Sequence, residues 1–146
     1  IRATLIRQAM FAECEKNVHE KIENHESLTS DILCDIYLDL NKKYFGESVI
    51  IDETIRYEWA RIPHFYSCFY VYKYATGISA AISIASKILN KEIGAVENYK
   101  EMLKMGCTKK SVDLLKMVGV DLESKKPYEE AFKFFKENLD KLEELL

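Results

Sequence analysis

The chain has 146 residues, a formal net charge of −3 and 48% apolar residues, which suits one domain with a real core and excludes low-complexity disorder. Five glycines and two prolines are too few for the many turns of a sandwich or barrel. A generalised nucleic-acid surface needs a basic excess, and 21 Lys and Arg against 24 Asp and Glu provide none.

The hydrophobic spacing predicts an all-α fold, a multi-helix bundle of about seven helices without a convincing strand. The first helix spans residues 1–23. Its opening, Ile1 to Cys14, is apolar on nearly every side and is expected to need burial on more than one face, as a piece of a longer protein would. The second helix spans 29–45, with Leu33, Ile36, Tyr37, Leu40 and Tyr44 at helical spacing. Thr29 or Ser30 suits its cap, and Gly46 sits where a left-handed stop belongs. Ser48 to Ile51 reads as a short extended piece, and Asp52 as the cap of a third helix over 53–61. Pro63 interrupts that helix and suits the first turn of a new one, placing a fourth helix over 63–90. Further helices follow at 93–105, 110–118 and 127–145. The last carries an apolar stripe of Tyr128, Ala131, Phe132, Phe135, Leu139, Leu142 and Leu146.

Cys14, Cys34, Cys68 and Cys107 form no Cys-x-x-Cys pair, so a zinc knuckle or thioredoxin-type site is not expected. Scattered thiols in a helical chain read as reduced and mostly buried, and the opening residues show no secretory leader pattern. A cytoplasmic protein is therefore the expectation.

The fourth helix is the unusual one. Lys73 is the lone charge between Ser67 and Ser86, but serines and Thr76 are spread along it. A buried central helix fits better than a membrane span. At 100° per residue Tyr66, Tyr70 and Tyr74 share a face, and Gly77 and Ala81 continue it. Buried phenols need hydrogen-bond partners, which suggests a polar groove; the pattern alone favours the plainer reading of core tyrosines with exposed tips. His64, directly after Pro63, lies at the mouth of this helix. On a continuous helix His64 to Tyr70 would span about 9 Å and Tyr70 to Tyr74 about 6 Å.

The run Glu58-Trp59-Ala60-Arg61-Ile62-Pro63-His64-Phe65-Tyr66, followed by Phe69-Tyr70-Val71-Tyr72-Lys73-Tyr74-Ala75-Thr76-Gly77, resembles the oligoendopeptidase F group of thimet-oligopeptidase-like zinc metallopeptidases. Arg7 to Glu13, Leu28-Thr29, Tyr44-Phe45-Gly46, Leu114 to Lys116 and Gly119 to Asp121 extend the likeness over essentially the whole chain. It departs at Ala9, Cys14, Gly106-Cys107-Thr108 and Ser111, which are loop and packing positions.

The resemblance implies a zinc metalloendopeptidase that hydrolyses oligopeptides. It implies His64 and one or more tyrosines of this helix as donors to the oxyanion; the shared face selects Tyr70 and Tyr74, Tyr72 stays open as a donor, and Tyr66, Tyr72 and Gly77 are assigned to substrate binding. The family's zinc motif, His-Glu-x-x-His, is absent: Glu23 and Thr29 stand four residues after His19 and His25. In the family the zinc ligands lie upstream of the position of Ile1. The resemblance thus makes residues 1–146 the C-terminal helical portion of the catalytic domain, inactive alone and without zinc of its own. Glu15, His19 and Glu23 share a helix face that suits only an adventitious metal. Arg61 suits either a peptide carboxylate or an ion pair with Glu58. Apolar surface laid bare along Ile1 to Cys14 or the tyrosine groove would favour a homodimer. The competing reading is a non-catalytic helical module that binds peptides or partner helices in the tyrosine-lined groove.

Overall fold

In the computed structural model, which describes residues 1–146, local chemistry sets most element ends. The Thr29 side chain accepts from the Ile32 amide at 3.3 Å and caps one helix, while Gly46, at φ +74°, stops it. Asp52 accepts from the Thr54 amide at 2.8 Å and opens the next element. All regular structure is helical: α1 (Ile6–Glu23), α2 (Ser30–Phe45), 3-10 segments at Glu53–Arg61 and Pro63–Tyr66, α3 (Tyr72–Leu89), α4 (Ala95–Lys104), α5 (Ser111–Met117) and α6 (Lys126–Glu143). Ser48 lies in a turn and Val49 in a bend, and residues 48–51 pair in no strand.

The chain divides into two compact units, Arg2–Ala75 and Thr76–Leu146. In the first, Met10, Phe11 and Cys14 of α1 pack with Tyr37 and Leu40 of α2 and with Ile62 and Val71. Phe11 meets Phe65 edge-on at 5.6 Å between ring centroids, which ties the Pro63–Tyr66 turn to α1. The opening helix thus buries Leu5, Met10, Phe11 and Cys14 within this unit. In the second unit Ala80, Val118 and Val120 form the buried centre, joined by Ile84, Tyr99, Met102, Leu115 and Leu122. Ser83 donates to Glu130 of α6 at 2.5 Å. Of the apolar stripe expected on α6, Ala131 is buried, whereas Phe132, Leu139, Leu142 and Leu146 are exposed.

The largest difference from the expected pattern lies between Pro63 and Leu89. The helix does not run through. Pro63–Tyr66 makes one 3-10 turn, and α3 begins only at Tyr72. Ser67 is extended, at φ −123° and ψ 96°, and Phe69 is left-handed, at φ +55°. Neither conformation continues a helix. α3 is buried along one face, at Ala75, Ser79, Ala80, Ile82 and Ser83, while Gly77 and Ala81 are exposed. No helix is long and apolar enough to cross a membrane. Cys14 and Cys34 are buried, but Cys68 and Cys107 are exposed, so the thiols are not mostly buried.

Candidate active site

Because the chain bends at residues 67–71, the phase of a single helix does not place Tyr66, Tyr70 and Tyr74 on one face. The bend itself brings two of them together. Tyr70 and Tyr74 meet edge-on with ring centroids 5.7 Å apart, and His64 lies 5.7 Å from each, stacked on Tyr70 and edge-on to Tyr74. Tyr74 Oη is 3.2 Å from His64 Nε2. The Lys73 ammonium sits 5.1 Å from the centre of the Tyr70 ring. The 9 Å span expected between His64 and Tyr70 along a helix is replaced by ring contact.

The Tyr70 hydroxyl beside Tyr74, as hydrogen-bond partner, then desolvation and the charge on Tyr70, raise the Tyr74 phenol above its ordinary value. It therefore remains a protonated donor through neutral pH. Tyr70 is 40% exposed, and His64 and Tyr74 are half-buried.

Tyr66 is 81% exposed. It lines an apolar pocket of about 220 Å³ with Cys14, Val18, Leu33, Trp59 and Phe65. Tyr72 is exposed at the start of α3. At Gly77 an added Cβ would meet nothing within 4 Å, so this glycine leaves open space.

Two buried carboxylates hold the segment that carries the cluster. Glu58 accepts from Tyr37 Oη at 2.6 Å, from Arg7 at 2.5 Å and from Arg61 at 2.5 Å. Arg61 thus pairs with Glu58, one turn away. Burial alone would raise the Glu58 pKa; the Tyr37 and Arg7 hydrogen bonds and the two guanidinium charges outweigh it, and the carboxyl lies below its usual range. Burial first, then the bond to Glu58, pushes the Tyr37 phenol well up. Glu15, 7% exposed on α1, accepts from the Phe69 amide at 2.5 Å. The His19 ring packs on the Phe69 ring at 4.5 Å between centroids. A left-handed backbone at a residue with a Cβ costs about 1–2 kcal/mol, so Phe69 needs such support.

Residues 2–134 match the model of peptidase family M3. The chain belongs to peptidase family M3. It is 50% identical over 145 residues to the oligopeptidase PepF of Bacillus subtilis (strain 168), covering 99% of this chain and 22% of that protein. It is 46% identical over 143 residues to an oligoendopeptidase F homolog of Borreliella burgdorferi, covering 98% of this chain and 24% of that protein. The crystal structure of oligoendopeptidase-F from Enterococcus faecium superposes with a TM-score of 0.96 at 45% identity, covering 99% of this chain and 28% of that one. The chain spans about a quarter of the length of these M3 relatives.

The residues present do not make a zinc site. No group of three His, Cys, Asp or Glu side chains is gathered to hold a metal ion. On the α1 face where Glu15, His19 and Glu23 line up, Glu15 serves the Phe69 amide and His19 the Phe69 ring. The Glu15–Phe69 link was not foreseen from sequence, although helical phase carried the signal. Glu15 follows Phe11 by one turn and so falls on the buried side of α1.

Proposed function

We propose that residues 1–146 are the C-terminal helical portion of the catalytic domain of a zinc-dependent oligoendopeptidase. In this reading Tyr70, Tyr74 and His64 hydrogen-bond the oligopeptide at the bond being cleaved. The convergence of these three side chains, none of them buried as a residue, carries the proposal.

Attack on a peptide carbonyl moves negative charge onto its oxygen. Donors already in place stabilise that charge without reorganising. The Tyr74 phenol is suited because it stays protonated, and Tyr70 stands against it in the same cluster. His64 accepts or donates to Tyr74 at Nε2 and so sets where that hydroxyl aims. Tyr66 and Tyr72 present exposed phenols to flanking parts of the peptide. The metal chemistry implied by the resemblance belongs, in this reading, to residues outside 1–146.

The test uses the full-length peptidase and single-turnover cleavage of an oligopeptide. Tyr70→Phe and Tyr74→Phe should each lower the rate about 10²- to 10³-fold, the cost of one oxyanion donor, with zinc content unchanged. A wild-type rate removes that tyrosine from the chemistry. A full-length protein that binds oligopeptides and never cleaves them would be a peptide-binding module instead.

A further inference from the structure

We propose that Glu15 and His19, one turn apart on α1, are positioning residues that hold the Phe69 bend and thereby deliver Tyr70 to His64 and Tyr74. The proposal rests on the reading of Tyr70 as a donor given above.

Four observations carry it. The first is the fate of the backbone between the 3-10 turn and α3. Ser67 N–H bonds His64 O at 3.0 Å, and Tyr70 N–H bonds Ser67 O at 3.1 Å. The Phe69 amide goes instead to Glu15, a buried carboxylate from 54 residues earlier in the chain. A charge-assisted hydrogen bond is about twice as strong as a neutral one and suits a fixing role.

The second is the conformation fixed there. Phe69 has φ +55° with an aromatic side chain, a state that persists only where its surroundings impose it. The third is the shape of the grip. Glu15 holds the backbone of Phe69 while His19 holds its ring at 4.5 Å, so one α1 face constrains both. The fourth is the other side of Tyr70. Val71 is fully buried among Met10, Phe11 and Tyr37. Tyr70 therefore hangs between two anchored neighbours. Its ring stands against His64 and Tyr74 only while the bend keeps its left-handed form.

A carboxylate kept merely to satisfy an amide would affect folding and leave the tyrosines indifferent. A positioning role predicts coupling to Tyr70. Misplacing a reacting contact by about 1 Å costs on the order of 10²-fold in rate. In the full-length peptidase, Glu15→Ala is expected to lower kcat by about that factor, with KM little changed. Glu15→Gln, whose amide oxygen still accepts, should recover most of the loss. Phe69→Gly, which adopts the bend without a Cβ, should restore part of kcat when added to Glu15→Ala. His19→Ala, at a half-buried position, is the milder variant and is expected to fold even where Glu15→Ala does not. In a Tyr70→Phe background Glu15→Ala and His19→Ala should add no further loss. Hydrogen exchange over residues 67–71 supplies a readout separate from activity: protection should fall in Glu15→Ala and stay in Glu15→Gln.

Equal losses in the wild-type and Tyr70→Phe backgrounds would overturn the positioning role. So would wild-type kcat in both Glu15→Ala and His19→Ala beside an impaired Tyr70→Phe. Wild-type kcat in Tyr70→Phe itself would instead overturn the functional reading beneath it.

Discussion

Tyr74 Oη lies 3.2 Å from His64 Nε2, joining the first turn after Pro63 to the first turn of α3 across a bend. The bond spans a half-buried surface, where a neutral hydrogen bond contributes about 0.5–1.5 kcal/mol. Tyr74→Phe should therefore lower stability by no more than about 1.5 kcal/mol in urea unfolding. A loss of turnover well beyond what that destabilisation explains would mark Tyr74 as functional. A large fall in stability with turnover preserved would mark it as structural.

Glu58 is the residue whose loss the fold should feel most. It is buried and serves Tyr37, Arg7 and Arg61 together, and Tyr37 is itself fully buried. Glu58→Ala strands those partners and should cost about 3–5 kcal/mol. Arg61→Ala, on a mostly exposed side chain, should cost under about 1 kcal/mol. Denaturant midpoints at fixed slope measure both, and equal costs would contradict the assignment.

The same carboxylate sets an acid dependence. Glu58 has its folded pKa below the ordinary 4.5, so it releases its proton more readily in the fold than in the unfolded chain. Its stabilisation is complete above the unfolded value and disappears as pH falls through the folded one. Melting temperatures taken from about pH 7 to about pH 3 should fall on the acid side, and Glu58→Gln should flatten that limb. Parallel limbs in the two proteins would contradict it.

How much of this was legible beforehand depended on range. Caps and stops act over three or four residues, so Thr29, Gly46 and Asp52 could be read directly. The Glu58–Arg61 pair, one turn apart, was equally local. The break between Pro63 and α3 was not readable. Tyrosine spacing there is compatible with a helix, and the carboxylate that meets the Phe69 amide at the break, Glu15, lies 54 positions away. Tyr37 and Glu58 likewise meet from 21 positions apart. His64, Tyr70 and Tyr74 do lie together, though the geometry that gathers them is a bend and no shared helix face. The α6 stripe shows the converse limit: helical periodicity marked Phe132, Leu139 and Leu142, and all three are exposed in this chain.

Thiol chemistry separates the cysteines. Burial, then the neighbouring Glu15 charge, pushes the Cys14 thiol up to about 12, leaving it unreactive. Cys34 is buried, while Cys68 and Cys107 are exposed. Brief native alkylation followed by peptide mapping should modify Cys68 and Cys107 and spare Cys14 and Cys34. Rapid labelling of Cys14 would mean that α1 is not packed as described.

The central claim is that this cluster meets the peptide where charge develops. The most direct measurement is a crystal structure of the full-length peptidase with an uncleaved oligopeptide bound. The expected result places Tyr70 Oη or Tyr74 Oη about 2.7–3.1 Å from the site of the developing oxyanion at the scissile carbonyl. Both phenols lying beyond about 3.5 Å with no bridging water would contradict it.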